Sequence, residues 1–348
     1  MKLIRFVCAL LAAVLLPLFC ESGTATKAYG QVERQVAERS VFAMDTYMTL
    51  TAYGKNAEAA LDEAIRLIQQ NEAQWSVTRM QSEISRINRG ELVAPAKATN
   101  ALISRALELS RYTMGAYDPT VYPLVSAWGF TTGEHRIPSD AEIAELLTLC
   151  GTEKILIGED GVKAQNGAML DLGGIAKGYT GDMLCELLRE KGVKHALLNL
   201  GGNVQTLGTK PDGSPWRIGI RSPLDDSLIG AVAVKDQCVI TSGAYERCFT
   251  GEDGKVYGHI ISPFTGKPVD NGTLSVSVVC TEGAMGDALS TALFVMGPEQ
   301  ALSFWRENEG FELILLDDAG TLYVTEGLGA SFTNRSNSAV KRVCKVKR

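Results

Sequence analysis

Short apolar segments that fit β-strands recur from residue 154 onward, and they constrain the fold of this chain more than any other feature. They are rich in valine, isoleucine and leucine, and short polar turns separate several of them. The segments are KILIG, HALLNLGG, WRIGIRS, GAVAVKD, CVITSG, LSVSVVC and FELILLDDAGTLYVT. Strands joined by short turns are typical of an antiparallel sheet.

Helical periodicity is concentrated in the first half of the chain. The segment VFAMDTYMTLTAYG alternates like one strand up to Gly54, and AEAALDEAIRLIQQNEAQW then repeats its apolar residues at helical spacing. SEISRIN, NALISRALELSRYTMG and SDAEIAELLTLCG are further helical segments, and the last begins with the capping pair Ser139 and Glu142. Because no internal repeat or linker divides residues 40 to 330, the sequence predicts a single α+β domain of largely antiparallel sheets and packed helices.

The composition narrows the class of ligand. At 348 residues and 45% hydrophobic content, the chain can bury a large core, which excludes a disordered or fibrous protein. Its 34 Lys and Arg residues against 40 Asp and Glu residues give a formal net charge of −6. Nucleic acid is therefore not an expected ligand, because binding to a phosphate backbone needs a concentrated basic surface. A small anionic ligand fits, since one lysine and a metal ion suffice.

The first twenty residues, MKLIRFVCALLAAVLLPLFC, predict a signal peptide. Lys2 and Arg5 precede an uncharged apolar run, residues 6–19, that is short for a membrane span but fits a signal core. We expect an exported chain, at the outer face of the cytoplasmic membrane or in the periplasm, anchored as a lipoprotein at Cys20. Ordinary cleavage near residues 23–25 and retention of the segment as an anchor are the alternatives.

These patterns divide the chain into four parts. Residues 1–20 form the signal peptide, 21–40 a polar tether, 41–335 the folded domain and 336–348 a basic C-terminal tail. The tether contains ESGTATKAYGQ, a polar, glycine-containing composition that is typical of a flexible linker.

The eight cysteines, at positions 8, 20, 150, 185, 238, 248, 280 and 344, show no short regular spacing. No CxxC pair indicates zinc, and we expect no disulfide framework. Cys185 lies in a helical pattern and Cys280 ends an apolar strand, so both are expected to be buried small hydrophobes rather than redox groups.

The nonamer DLGGIAKGY begins a helical pattern that ends at Gly192. Free backbone N–H groups at the start of a helix bind anions, and Lys177 adds a full positive charge. Asp171 does not fit a simple phosphate site, because a carboxylate repels phosphate unless it caps the backbone, binds a sugar or base, or approaches a cation. The alternative is a structural glycine-rich cap, since the segment matches neither GxGxxG nor GxxxxGK[ST].

Other segments carry potential site residues. In MGDALSTALFVMG, Asp287 and Thr291 lie four positions apart and so share one helical face. Paired oxygens of this kind suit Mg²⁺, although Asp287 is also compatible with an ordinary charge at a helix N-terminus. GHIISPFTGKPV presents His259 beside a turn, in either a structural or a catalytic role, while TSGAYER and GAYDPTV add hydroxyl, aromatic and carboxylate groups.

Together these motifs resemble one family, the ApbE flavin transferases. The resemblance covers about residues 41 to 330, with motifs in the expected order: AMDTYM, WSVTRMQSEISRIN, GAYDPTVYPLVSAWGF, DLGGIAKGY, NLGGNV, WRIGIRSP, VITSGAYER, GHIISPFTGKP, SVSVV and GDALSTALFVMG. It implies an enzyme that binds FAD and Mg²⁺, transfers the FMN half of FAD through a phosphoester bond to a threonine hydroxyl of a partner protein, and releases AMP. The implied acceptors are flavoprotein subunits of membrane electron-transport complexes, which agrees with an exported, membrane-tethered chain.

The resemblance also implies roles for individual residues. Mg²⁺ would be held by Asp287, Thr291 and a backbone carbonyl near Gly174. His259 would be the general base, with Lys177 and Asp287 also serving catalysis at the pyrophosphate. The implied flavin-nucleotide contacts are Met44, Ala116, Tyr117, Asp118, Asp171, Lys177 and Ile261, with Asp171 serving a nucleotide hydrogen bond rather than a phosphate.

The chain departs from the family pattern at two positions. Ser262 replaces the usual aspartate after the histidine motif, which weakens the expectation that the base is assisted there. Thr78 stands where many members carry a flavin-stacking tyrosine, which weakens the expectation that the flavin ring is stacked. Two other functions fit the same motifs: an FAD pyrophosphatase that hydrolyses FAD to FMN and AMP, and a non-catalytic flavin-binding lipoprotein.

Overall fold

Most of the strands and helices expected from the sequence are present in the computed structural model, which describes residues 35–225, 227–243, 247–336 and 338–345. The predicted signal peptide 1–20, its Cys20 and all but the last residues of the predicted tether lie outside the described residues. The described strands and helices fall in one compact unit. None of the described helices combines the length and apolar content needed to cross a membrane.

The helices are α1 (Ala57–Trp75), α2 (Glu83–Asn88), α3 (Lys97–Tyr112), α4 (Tyr122–Ala127), α5 (Asp140–Leu147), α6 (Ala176–Glu190) and α7 (Gly283–Glu307). The strands are β1 (Val36–Ala43), β2 (Thr46–Tyr53), β3 (Ile155–Gly158), β4 (Gly161–Ala164), β5 (His195–Leu200), β6 (Asn203–Leu207), β7 (Trp216–Arg221), β8 (Leu228–Val234), β9 (Cys238–Gly243), β10 (Cys248–Thr250), β11 (Val256–Gly258), β12 (Thr273–Cys280), β13 (Phe311–Asp317), β14 (Thr321–Thr325), β15 (Phe332–Asn334) and β16 (Ala339–Val343). Two short 3₁₀ segments, Thr152–Lys154 and Glu326–Leu328, complete the described elements.

A nine-stranded sheet organises the fold, with strand order β1-β2-β5-β6-β9-β12-β13-β14-β16. Within the described chain its neighbouring strands run antiparallel, except for the parallel pair β14 and β16. A second sheet has the order β15-β8-β7, and the pairs β3-β4 and β10-β11 form two small ribbons. The short connections of the sequence therefore produce the antiparallel arrangement that they predict.

The central strands are apolar on both faces because the sheet lies between two layers. In β9, Cys238 and Ile240 belong to the core that α7 covers, whereas Val239 belongs to the core shared with β7 and β8. Strand β13 alternates in the same way, with Leu313 on the α7 side and Ile314 on the other. Successive side chains of a strand point to opposite faces, so one strand contributes to both cores.

Helices α1, α6 and α7 cover one face of this sheet. Helices α1 and α6 pack on β1, β2 and β5, with Leu61 and Ile68 of α1 fully buried. Burying a side chain of this size stabilises the fold by roughly 1.5–3 kcal/mol. Helix α7 covers β9, β12 and β13, and it is interrupted at Gly297, whose φ of 80° and following proline break the helical geometry.

Helices α6 and α7 approach each other closely through glycine. A Cβ on Gly178 would lie 2.8 Å from Asp287 Cβ and would collide with the carbonyl group of Gly283. The Asp182 carboxylate of α6 accepts hydrogen bonds from the amides of Gly283 (2.7 Å) and Ala284 (2.9 Å), and so caps the start of α7. Burial raises the pKa of Asp182 to about 6.

Several expectations about local structure are confirmed. Helix α1 has the predicted bounds, and Ser139 Oγ caps α5 by accepting a hydrogen bond from the Glu142 amide at 3.2 Å. Gly192 follows the end of α6 with φ of 77°, the left-handed conformation that glycine adopts without strain. Cys185 and Cys280 are buried, as expected.

Three expectations are wrong. The predicted tether 21–40 extends too far, because its residues 36–40 belong to β1 and pair with β2. The segment VFAMDTYMTLTAYG is not one strand but the hairpin β1–β2, in which Met44 and Asp45 form a two-residue turn. The predicted tail 336–348 contains β16, which pairs with β14, and its Val343 is buried in the core beneath α7. Pairing with β14 satisfies the backbone hydrogen-bonding groups of this short segment at the sheet edge. The charged residues of the segment give no sign of this pairing in the sequence.

We expect Gly178→Ala to lower the free energy of unfolding by roughly 1–3 kcal/mol, because the added methyl group meets backbone atoms of α7 that cannot move aside cheaply. Urea titration at constant m-value measures the effect. Gly158→Ala is the matched control, since its nearest neighbouring atom would lie 4.0 Å away. Equal midpoints for the two variants would show that the contact between α6 and α7 is not tight.

Candidate active site

A cleft of about 1250 Å³ opens beside the start of α6, the second turn of α7 and the β1–β2 turn. Every residue for which the sequence predicts a catalytic, flavin or metal role lines it: Met44, Ala116, Tyr117, Asp118, Asp171, Gly174, Lys177, His259, Ile261, Asp287 and Thr291. A second hollow, of about 520 Å³, lies along residues 88–90 and 163–168 and contains none of them. The tertiary structure therefore brings the predicted residues together at one place.

The segment before α6 is held by its own backbone contacts. Asp171 Oδ1 accepts a hydrogen bond from the Gly173 amide at 2.8 Å, and the Asp171 amide donates to Pro119 O at 2.7 Å. Burial raises the pKa of Asp171. Lys177 reaches back over this segment, with its Nζ donating to Gly173 O at 3.2 Å. Asp171 thus caps the backbone, and Lys177 is positioned at the cleft wall.

The start of α6 is already paired with an acid of the chain itself. The Gly178 amide, in the first turn, donates to Asp287 Oδ2 at 2.9 Å, and Asp287 is only 4% exposed. Anions are stabilised at this end of a helix by its dipole and its free N–H groups. Part of the anion-binding capacity expected for DLGGIAKGY therefore serves to hold the Asp287 carboxylate in place.

The three predicted metal ligands are neighbours. Thr291 lies one turn after Asp287, and its Oγ1 is 3.5 Å from Asp287 O, a long contact that leaves the hydroxyl weakly engaged. A Cβ on Gly174 would lie 3.5 Å from the same Oγ1. Carboxylate, hydroxyl and carbonyl oxygens are the hard donors that Mg²⁺ prefers. Among the described residues no three His, Cys, Asp or Glu side chains are arranged to hold a metal ion, so a metal here would rest on one carboxylate and neutral oxygens.

Tyr117 carries the one buried, unpaired hydroxyl among the predicted site residues that the structure describes. Its hydroxyl is buried and has no hydrogen-bond partner in the described part of the chain. Burial, together with the nearby carboxylates of Asp287, Asp171 and Asp118, raises the pKa of Tyr117 well above its usual value. The hydroxyl therefore stays a neutral donor, and its burial without an acceptor costs free energy.

Asp118 and the β1–β2 turn complete the other wall. Asp118 Oδ1 accepts hydrogen bonds from the amide (2.8 Å) and hydroxyl (2.6 Å) of Thr120, and burial raises its pKa. Met44 and Asp45 have φ of 50° and 59°, an uncommon conformation for residues other than glycine. The Met44 amide donates to Glu72 Oε1 at 3.2 Å, which helps fix the turn.

His259 is held beside two cations. Its backbone amide donates to Arg247 O at 2.9 Å, while its Nδ1 is buried without a partner among the described residues. Burial, and after it the charges of Arg247 and Lys177, lower the pKa of His259 to about 4. The imidazole is therefore neutral at pH 7 and free to accept a proton.

Other predicted or noted residues serve the walls of the cleft. Ile261 is buried in a small core with Leu124 and Trp128, so most of its side chain packs against other residues of the chain. Ser262 Oγ accepts a hydrogen bond from the Phe264 amide at 3.3 Å and closes the turn after the histidine motif. Thr78 is exposed at the cleft mouth.

Sequence reasoning missed several charged residues of the cleft, among them Arg247 and Glu72. Arg247 pairs with Asp45 (Nη2 to Oδ2, 3.0 Å), and Glu72 pairs with Arg79 (Oε2 to Nη2, 2.8 Å) while it anchors Met44. Arg247 ends the noted motif TSGAYER, whose residues 244–246 lie outside the described residues. No sequence pattern marked Glu72 as a site residue, because it occupies an ordinary polar position of α1.

The sequence model of the ApbE family matches residues 44–315. This chain belongs to the ApbE family. Among relatives of this ApbE chain, the FAD:protein FMN transferase of Klebsiella pneumoniae (strain 342) is 34% identical over 292 residues, which cover 82% of this chain and 90% of that protein. The FAD:protein FMN transferase of Treponema pallidum is 32% identical over 329 residues, covering 87% and 90%.

Solved structures agree with these sequence relatives. The crystal structure of the ApbE protein from Thermotoga maritima superposes on this ApbE chain with a TM-score of 0.80 at 32% identity, over 87% of this chain and all of that one (100%). The flavin transferase ApbE from Vibrio cholerae gives 0.73 at 30% identity, over 82% and 94%. The predicted family and α+β fold are confirmed, and the shared name of the relatives confirms the prediction of an enzyme, a transferase.

We expect His259 to titrate near pH 4 in the ligand-free ApbE chain, and NMR of the imidazole C–H groups measures this. Because its pKa is lower in the folded state than the usual 6.5, its contribution to stability is complete above pH 6.5 and is lost as the pH falls through 4. Between pH 7 and 4, wild type should lose roughly 3 kcal/mol relative to His259→Gln. A parallel pH dependence of the two proteins would contradict the buried, neutral imidazole.

Proposed function

We propose that this ApbE chain is a FAD:protein FMN transferase that depends on Mg²⁺, modifies a threonine hydroxyl of an acceptor protein and releases AMP. The observation that carries the proposal is the convergence of hard oxygen donors, a lysine and a neutral histidine in one cleft. The cleft is somewhat larger than a typical small-ligand site of roughly 300–1,000 Å³, which suits a dinucleotide.

The reaction needs few protein groups. The threonine oxygen forms a new bond to the phosphorus of the FMN half, the pyrophosphate P–O bond breaks, and AMP leaves with the bridging oxygen. The threonine proton passes to a base. Phosphoryl transfer of this kind depends mainly on positioning and on neutralising charge, so the arrangement of the cleft residues decides the rate.

Asp287, Thr291 and the carbonyl group of Gly174 are the residues that would hold Mg²⁺. When bound, the ion neutralises negative charge on the pyrophosphate oxygens. The hydrogen bond from the Gly178 amide fixes one carboxylate oxygen of Asp287, so the other is the one available for coordination. Lys177, which lines the cleft at the α6 start, would contact the pyrophosphate.

His259 would accept the threonine proton. A base must be unprotonated before it acts, and the low pKa keeps His259 so at neutral pH. The same low pKa makes it a weak base in the free protein. Anionic FAD would offset the charges of Arg247 and Lys177, the smaller causes of the low pKa, and so raise the pKa of His259, while burial would still hold it below the usual value.

The proposal extends to the acceptor and the location of the enzyme. We infer acceptors among flavoprotein subunits of membrane electron-transport complexes, modified at the outer face of the cytoplasmic membrane. Support comes from the signal-like pattern of residues 1–20, with Cys20 as the lipid-anchor position. Mass analysis of membrane-extracted protein tests the anchor directly.

The function is tested by incubating the full chain with FAD, Mg²⁺ and a threonine-containing acceptor peptide, followed by mass measurement. FMN attached to the peptide, with free AMP, is the expected result. Free FMN and AMP without modified peptide would identify a hydrolase instead, and intact FAD would identify a binding protein.

Two histidine variants test the role of His259 in this experiment. His259→Gln should retain FAD binding but slow transfer by about 10²–10⁴-fold, the usual contribution of a general base. His195→Gln is the control, because His195 Nδ1 lies 2.7 Å from Thr209 O, away from the cleft. Equal turnover in both variants would leave His259 a structural residue.

Binding of FAD and Mg²⁺ should be mutually dependent, because one protein carboxylate makes a weak site until the pyrophosphate adds oxygens. Calorimetric titration of FAD with Mg²⁺ and with EDTA should reveal a coupling of about 1–3 kcal/mol. Asp287→Asn keeps an acceptor for the Gly178 amide but removes the charge, and should abolish the coupling. Glu299→Gln, on the exposed side of α7, should leave it unchanged. Coupling that survives in Asp287→Asn would refute the assignment.

A further inference from the structure

Two cysteines from distant parts of the chain oppose each other in the central sheet. Cys238 begins β9 and Cys280 ends β12, and the two are direct partners in the antiparallel register. Their Sγ atoms are 3.3 Å apart. Both side chains belong to the core beneath α7, and they are 1% and 2% exposed.

The antiparallel register at this position is compatible with the backbone spacing of a disulfide. Directly opposed residues of antiparallel strands have Cα atoms about 4.5–5.5 Å apart, inside the range of about 4.4–6.8 Å found for disulfides. Since a disulfide bond is about 2.05 Å long, the two sulfurs need to approach by only about 1.3 Å.

The sulfur pair lies directly under the start of α7. Both Sγ atoms contact Glu282 O, Cys280 at 3.1 Å and Cys238 at 3.7 Å. A Cβ on Gly286 would lie 3.0 Å from the Cys280 sulfur and 3.1 Å from the Cys238 sulfur. Gly286 immediately precedes Asp287, so the pair supports the turn of α7 that carries the cleft carboxylate.

We propose that Cys238 and Cys280 are a site of oxidation: they close a disulfide when the chain folds in an oxidising medium and remain thiols when it folds in a reducing one. This inference does not depend on the proposed flavin transfer. The pairing comes from strand register, which explains why cysteine spacing along the sequence gave no sign of it.

The oxidant is a low-molecular-weight disulfide such as oxidised glutathione. One cysteine thiolate attacks a sulfur of the oxidant, which releases one thiol and leaves a mixed disulfide. The second cysteine attacks the protein sulfur of that mixed disulfide and releases the second thiol. One S–S bond breaks and one forms, the two cysteines are oxidised, and their two protons end on the two released thiols.

The thiol–disulfide exchange takes place while the chain folds and not in the folded protein. The neighbouring Cys280 thiol and burial hold the pKa of Cys238 well above its usual range. Thiolate, the attacking form, is therefore scarce once β9 and β12 have paired, and the covering helix excludes the oxidant. While the chain folds, both thiols are open to solvent and are brought together as the two strands align.

The test is to denature and reduce the full chain, refold one portion with oxidised and reduced glutathione and another with dithiothreitol, and trap free thiols under denaturing conditions. Peptide mapping of the glutathione portion should yield a cross-linked peptide joining Cys238 and Cys280, two hydrogens lighter than the reduced pair. Both portions must show the same far-UV circular dichroism. The dithiothreitol portion should contain both residues as trapped thiols.

Two variants keep the result specific. Cys185→Ala removes a buried thiol of α6 that contacts Gln205 instead of another cysteine, and the cross-link should form in it as in wild type. Cys280→Ala should leave Cys238 reduced in both portions. Natively folded wild type that lacks the Cys238–Cys280 peptide after glutathione refolding would overturn the proposal. So would a mixture in which Cys238 is linked to several cysteines in similar yield, or carries glutathione.

Discussion

The close contact between α6 and α7 is the constraint on which the rest of the structure depends. Glycine at positions 178 and 283 lets the two helices approach until their backbones touch. Two aspartates then exchange hydrogen bonds across the contact: Asp182 of α6 caps α7, and Asp287 of α7 accepts from the first turn of α6. Each helix start thus receives a carboxylate from the other helix, which satisfies backbone N–H groups that would otherwise be unpaired.

This reciprocal arrangement explains how one carboxylate becomes available to a ligand inside a buried environment. Burying an unpaired charge costs several kcal/mol, but the dipole of α6 and the Gly178 amide offset that cost for Asp287. Around it, the acids Asp118 and Asp171 use one oxygen each to cap their own loops. Lys177 lies at the α6 start, so three acids and a lysine line the same cleft.

Much of the fold was predictable from local patterns. The amphipathic spacing of α1 and the serine cap of α5 depend on residues within a few positions of each other, and both were correct. The β1–β2 hairpin was missed because Met-Asp is not a usual two-residue turn pair such as Asn-Gly or Asp-Gly, and apolar alternation continues across it. A carboxylate from α1, Glu72, helps hold the left-handed turn, and no local rule contains that contact.

The types of most elements, the family and the segments that meet in the cleft could be predicted from the sequence, because helix caps, strand alternation and ordered motifs are local properties of the chain. Tertiary structure alone decided the pairings. Gly178 and Asp287 lie 109 positions apart, and Cys238 and Cys280 lie 42 apart, yet hydrogen-bond register and helix packing bring each pair into contact. Strand register and helix approach are fixed by the fit of whole buried surfaces, so separation along the chain carries no information about which side chains will meet.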